Sequence, residues 1–205
     1  MNISLLGPEE RPDKLKICES LAQLHQEGAP QDLISHMGND FLKNFFYPGV
    51  LASRSAVTLG LWDGKTLVGF VSATWNWMAL LLDLATHQPI RALVYALTCL
   101  LMRPKNAVDL AQGLRLTLPK TPDLSAEILM ISISPPFRGK RHGQELLQAI
   151  HQELSRRGHF FCVARVREEN QEAILMYQNE KYLPSGRIEY RGRSWIWMIR
   201  NCHEK

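Results

Sequence analysis

Glu127-Ile-Leu-Met-Ile-Ser-Ile-Ser-Pro-Pro-Phe-Arg-Gly-Lys-Arg-His-Gly143 is the stretch on which the fold turns. From Glu127 to Ser134 apolar residues fall on both faces, the pattern of a strand in the middle of a sheet. Pro135 to Gly143 is a loop rich in glycine and base. It runs straight into a helix, Gln144 to Arg157, with Leu146, Leu147, Ile150 and Leu154 on one face and Gly158 as its stop. The first N–H groups of such a helix lack intrahelical acceptors and sit at the positive end of its dipole. Arg138, Lys140, Arg141 and His142 add cationic side chains. The arrangement suits a pyrophosphate, although a solvated basic loop that merely caps a helix has the same composition. It is neither GxxxxGK[ST] nor GxGxxG, so a P-loop and a dinucleotide fingerprint are excluded.

A second segment lies downstream of an apolar strand at Phe160 to Val166. In Asn170-Gln-Glu-Ala-Ile-Leu-Met-Tyr177, the residues Asn170, Ala173 and Tyr177 are spaced to share one side of a helix that runs to about Lys181. Alone, Asn170 reads as an N-cap and Tyr177 as a half-buried aromatic.

Together the two segments resemble the GNAT superfamily of acyl-CoA-dependent N-acyltransferases. Ile133, Pro135, Arg138 and Gly143 match its Val/Ile-x-Pro-x-x-Arg/Gln-x-x-Gly-x-Gly/Ala run, and Asn170, Ala173 and Tyr177 match its second motif. The resemblance implies a central strand that parts from its neighbour at its C-terminal end. Acetyl-CoA would enter as cosubstrate through that gap. Backbone groups of Ile131, Ser132 and Ile133 would hold the pantetheine arm, and the N–H groups of Arg138, Gly139, Lys140, Arg141, His142 and Gly143 the pyrophosphate. Asn170 would contact the arm, and Tyr177 would protonate the departing thiolate. Glu127, on the face read as shared with Leu129, Ile131 and Ile133, would take the proton of the attacking amine, burial raising its pKa toward the working range. The alternative for Glu127 is a solvated strand end or a pair with an arginine. Two departures stand out: Arg141 replaces the first glycine of the loop, and Lys181 a glycine usual four residues after the tyrosine.

The rest of the chain fits around this centre. Asn2 to Leu6 reads as a strand. Asp13 caps a helix through Ile17, Leu21 and Leu24, stopped at Gly28-Ala29-Pro30. A second helix is expected from Asp32, with Ile34, Met37, Phe41 and Phe45 on one face, ending at Pro48-Gly49. Ala56 to Trp62 and Thr66 to Thr74 are strands joined at Asp63-Gly64. Gly186 to Arg191 and Ser194 to Ile199 form a closing hairpin, in which Trp195 and Trp197 are read as core. The expected fold is α/β (α+β): one domain over 1–205, a mixed, mostly antiparallel sheet flanked by helices. A helical insertion at 75–118 precedes the central strand, and Pro119 to Pro122 links the two. Leu80, Leu81, Leu82 and Leu84 nearly circle one insertion helix, which makes the insertion a packed cover or a homodimer interface. Membrane-surface contact is the weaker reading.

Composition narrows the function. Of 205 residues, 45% are hydrophobic and 21% charged, ample for a core, and the net charge of +4 is too small to argue for nucleic acid. Cys18, Cys99, Cys162 and Cys202 are widely spaced, with no CxxC, which excludes a zinc ribbon and fits a reducing cytoplasm. His25, His36, His87, His151 and His159 show no metal-ligand spacing. No apolar leader opens the chain, and Ala92 to Met102 is too short to span a bilayer. The expected activity is transfer of acetyl from acetyl-CoA to a primary amine by direct attack in a ternary complex, without metal. A small amine or amino sugar is the first acceptor class, and a peptide or protein amine the second. A non-catalytic CoA-binding or interaction domain is the competing class.

Overall fold

The computed structural model describes residues 1–7, 13–102, 125–190 and 192–202. Among these, the strands β1 (Asn2–Leu6), β2 (Ala56–Asp63), β3 (Thr66–Thr74), β4 (Ser125–Ile133), β5 (Phe161–Arg167), β6 (Leu183–Tyr190) and β7 (Arg193–Asn201) form one sheet in the order β1-β2-β3-β4-β5-β7-β6. Every described pairing is antiparallel except β4 with β5. The stretch first read as a central strand is central, with β3 and β5 as its neighbours.

Helices cover both faces. On one lie α7 (His142–Arg156) and α8 (Gln171–Asn179); on the other, α1 (Lys14–Gly28) and α4 (Tyr47–Ala52). Leu146, Leu147, Ile150 and Leu154 of α7 are fully buried against Val57, Val71, Ile128 and Ala164. Each such side chain contributes about 1.5–3 kcal/mol relative to exposure. On the opposite face, Leu21 and Leu24 of α1 pack with Tyr47, Val50 and Phe70. Gly28 ends α1 where a Cβ would meet Ser132 Oγ at 2.5 Å, so the helix lies almost on the strand.

The single helix expected from Asp32 is instead broken. Leu33–His36 (α2), Asn39–Phe41 (α3), a π-turn at Leu42–Phe46 and α4 follow one another, interrupted at Gly38, whose φ is +99°. Pro48 does not end the run; it occupies the first turn of α4, where a missing N–H costs nothing. The helix after the basic loop starts two residues earlier than read, at His142, and that after Asn170 ends at Asn179.

Of the insertion, α5 (Trp77–His87) and α6 (Pro89–Met102) are described; residues 103–118 and the linker at 119–122 lie outside the described residues. Leu80 and Leu84 of α5 are buried, and a Cβ on Gly49 of α4 would stand 2.7 Å from Leu84 Cγ. The outer flank carries exposed Met78, Leu82, Ile90, Leu93, Val94 and Leu97. The apolar ring read from sequence is thus half core and half surface.

Candidate active site

β4 and β5 pair only at Ser125–Phe161, Ala126–Cys162 and Glu127–Val163. Beyond that point β4 runs on to Ile133 beside β3, and β5 runs on to Arg167 beside β7. A gap therefore opens between them. Ser134 N–H donates to Val68 O of β3 at 2.8 Å. Backbone polar groups alternate sides along a strand, so those of Ile133 and Ile131 turn to the gap while those of Ser132 face β3. Arg138 Nε donates to Ile133 O at 2.8 Å and closes one of these positions. Ser132 stands apart from the others: its Oγ donates to Leu24 O of α1 at 2.7 Å.

The gap ends at the start of α7. Gly139 has φ +74°, and Arg141, the N-cap, has φ 64° and ψ 4° with no side-chain cap. The first helical N–H with an internal acceptor is that of Glu145, donating to Arg141 O at 3.1 Å. The N–H groups of His142, Gly143 and Gln144 have no acceptor within the helix, the condition an anion site needs. Lys140 lies over the Phe137 ring, and His142 Nδ1 is 2.9 Å from Glu145 Oε2. A Cβ on Gly143 would meet Met176 Sδ of α8 at 2.7 Å, so this glycine lets the two helix starts approach. Both departures from the family pattern, Arg141 and Lys181, adopt the left-handed conformation; they are the non-glycine residues with positive φ among the described residues. The backbone has kept a glycine shape without the glycine.

Tyr177 is buried on α8, edge-on to Tyr182 at 4.9 Å between ring centroids. Burial pushes its phenol pKa upward, so it stays protonated through the neutral range. Asn170 caps α8, its Oδ1 accepting from Ala173 N–H at 3.1 Å, which uses only the oxygen end of the amide.

Glu127 lies on the opposite face from Ile131 and Ile133. Ser72 pairs with Met130 and Ala73 with Ile128, which leaves Leu129 as a bulge that reverses the alternation. Glu127 is buried, and Arg165 Nε and Trp77 Nε1 donate to its two oxygens, the latter at 2.6 Å. It is neither solvated nor alone among aliphatics; it is a paired carboxylate. Arg165 stands opposite Trp197 in the register, and its guanidinium carbon is 5.9 Å from the Trp77 ring centroid and 5.5 Å from that of Trp197. Trp197 and Trp195 are thus not core: Met198 fills that role on the other face, and the indoles flank arginines.

Residues 113–181 match the Acetyltransferase (GNAT) family. The match covers about a third of the chain. Its fold is that of solved GNAT acetyltransferases. The ribosomal-protein-S18-alanine N-acetyltransferase from Escherichia coli is 13% identical with a TM-score of 0.60, over 100% of this chain and 95% of that one. An aminoglycoside 6'-acetyltransferase type Ii is 13% identical with a TM-score of 0.61, over 100% and 99%. An N-acetyltransferase from Staphylococcus aureus Mu50 is 15% identical with a TM-score of 0.64, over 98% and 100%. No curated protein matches in sequence. No group of three or more potential metal ligands occurs among the described residues, and no helix among them is long and apolar enough to cross a membrane.

Proposed function

We propose that the protein is a cytoplasmic acetyl-CoA-dependent N-acetyltransferase acting on a primary amine of a small molecule, by direct attack in a ternary complex. The observation that carries this reading is the parting of β4 from β5 after Glu127, with the backbone of Ile131 and Ile133 facing the gap and the N–H groups of α7 at its end. Acetyl-CoA supplies the thioester. The N–H groups from Gly139 to Gly143 bind its pyrophosphate, that of Arg138 being already donated to Pro135 O at 3.2 Å; Asn170 contacts the arm, and the gap edge of β4 orients it. The C–N bond forms as the C–S bond breaks. Glu127 receives the amine proton, and Tyr177 gives its phenolic proton to the leaving sulfur. Cys162 supplies no competing nucleophile, because burial pushes its thiol pKa up.

Calorimetric titration with acetyl-CoA tests the reading. Binding that weakens in Arg138→Ala supports it. Ligand at a hundredfold excess over its dissociation constant should stabilise the fold by about 2.7 kcal/mol. Absence of binding to the intact protein would overturn it.

A further inference from the structure

We propose that the acceptor is a carboxylate-bearing amine of the α-amino-acid kind, its carboxylate held by Arg165 and Arg167. This rests on the acyltransferase reading and names the substrate class of the same site. α7 and α8 occupy one face of the sheet, so the acceptor approaches the gap from the other. There α1 lies over Met130 and Ser132. The same face carries Glu127, Arg165 and Arg167, the last two on the length of β5 that has left β4.

The two guanidinium groups are held but not saturated. Arg165 gives only Nε to Glu127, end-on, and is clamped between Trp77 and Trp197. Arg167 uses Nη1 for Gln31 Oε1 at 3.2 Å and for Glu169 Oε1 at 3.2 Å. Among the described residues, neither Nη of Arg165 nor Nε and Nη2 of Arg167 has an acceptor. The two side chains are 25% and 27% exposed, so these donors reach solvent from a mostly buried mount. Residues two apart on a strand share a face about 6.6 Å apart, a span one carboxylate bridges with fork hydrogen bonds. The charges in this cluster are two arginines against Glu127 and Glu169. That balance fits a zwitterion, whose ammonium proton Glu127 takes. It does not fit a polycationic amino sugar, which needs an excess of carboxylates that this balanced cluster lacks.

The test measures acetyl-CoA-dependent thiol release with each of the twenty L-α-amino acids, their amides, and O-phosphoethanolamine as the phosphate arm. At least one amino acid should exceed its own amide by at least about tenfold in kcat/KM, as loss of a charge-assisted pair requires. Arg167→Met should raise KM for that acid by about tenfold or more and erase the preference over the amide, leaving KM for acetyl-CoA unchanged; Arg167→Lys, which keeps charge without the fork, should fall between. Preference for amides or for O-phosphoethanolamine, or an unchanged KM in Arg167→Met, would overturn the assignment. So would acetyl-CoA binding without turnover of any amino acid, which leaves the acyltransferase reading standing. No acetyl-CoA binding would fell both.

Discussion

The two faces of the sheet solve different problems with different materials. The α7 and α8 face offers backbone: N–H groups at a helix start and a strand edge that has lost its partner. The opposite face offers side chains: a carboxylate fixed by an arginine and an indole, and that arginine in turn set between two tryptophans. Backbone recognition suits a cosubstrate whose shape never changes. Side-chain recognition suits an acceptor that differs from one enzyme to the next. Each face also carries a buried histidine–tyrosine pair: His151 Nε2 with Tyr182 OH at 2.7 Å on the first, His25 Nδ1 with Tyr47 OH at 2.6 Å on the second. The second pair continues to Asp32 at 3.2 Å and so braces the turn that delivers Gln31 to Arg167.

The largest expected effects come from the two groups proposed to transfer protons, one on each face. Glu127→Gln should lower kcat/KM by roughly 10²–10⁴-fold. A kcat/KM equal to that of the parent removes Glu127 from the mechanism and reduces it to a brace for Arg165. Tyr177→Phe should lower kcat by at least about 10²-fold with little change in the dissociation constant of acetyl-CoA. If kcat holds, the leaving thiolate takes its proton from water.

These two residues also mark how much was legible in sequence. Arg138 to Gly143 and Asn170 to Tyr177 are each continuous in the chain, so their spacing exposed the first face. The second face is assembled from Glu127, Arg165 and Trp197, brought together by strand register, and from Gln31 and Trp77, brought by the turn after α1 and by α5. No local pattern encodes that meeting. The bulge at Leu129 was hidden for a related reason: with apolar residues on both faces, a shift in alternation leaves no trace in the run. Trp195 and Trp197 looked like core because an indole in a strand usually is. The signal available was Arg165 and Arg167 at the same alternate spacing in β5, the strand that pairs with β7.

A smaller effect separates the faces by pH. Burial, with Arg200 nearby, pushes the His151 pKa down to about 3. Below its ordinary value near 6.5 the unfolded chain binds a proton that the folded chain refuses. Stability therefore is full above about pH 6.5 and falls as the pH drops toward about 3, by an amount of the order of a few kcal/mol. His151→Gln, which keeps a partner for Tyr182, should flatten this slope in urea titrations run at pH 4, 5, 6 and 7. A slope unchanged in the variant would assign the acid sensitivity to other groups.

The smallest effect bears on the shape of the first face. Arg141 and Lys181 both hold left-handed backbone, at φ 64° and 63°, where an L side chain costs about 1–2 kcal/mol that glycine avoids. Part of that gain is lost because glycine also loosens the unfolded chain. Each substitution to glycine should therefore stabilise the fold by about 1 kcal/mol, a rise in Tm of roughly 2–4 °C for a chain of this size. The two should then part company. Lys181 follows the end of α8, and Lys181→Gly should leave acetyl-CoA affinity untouched. Arg141 caps the helix whose N–H groups form the proposed pyrophosphate site, and Arg141→Gly should weaken acetyl-CoA binding while raising Tm. A variant that gains in both would mean that the arginine only obstructs the phosphate site. A loss of affinity would mean that the strain at this position is retained for the charge it presents.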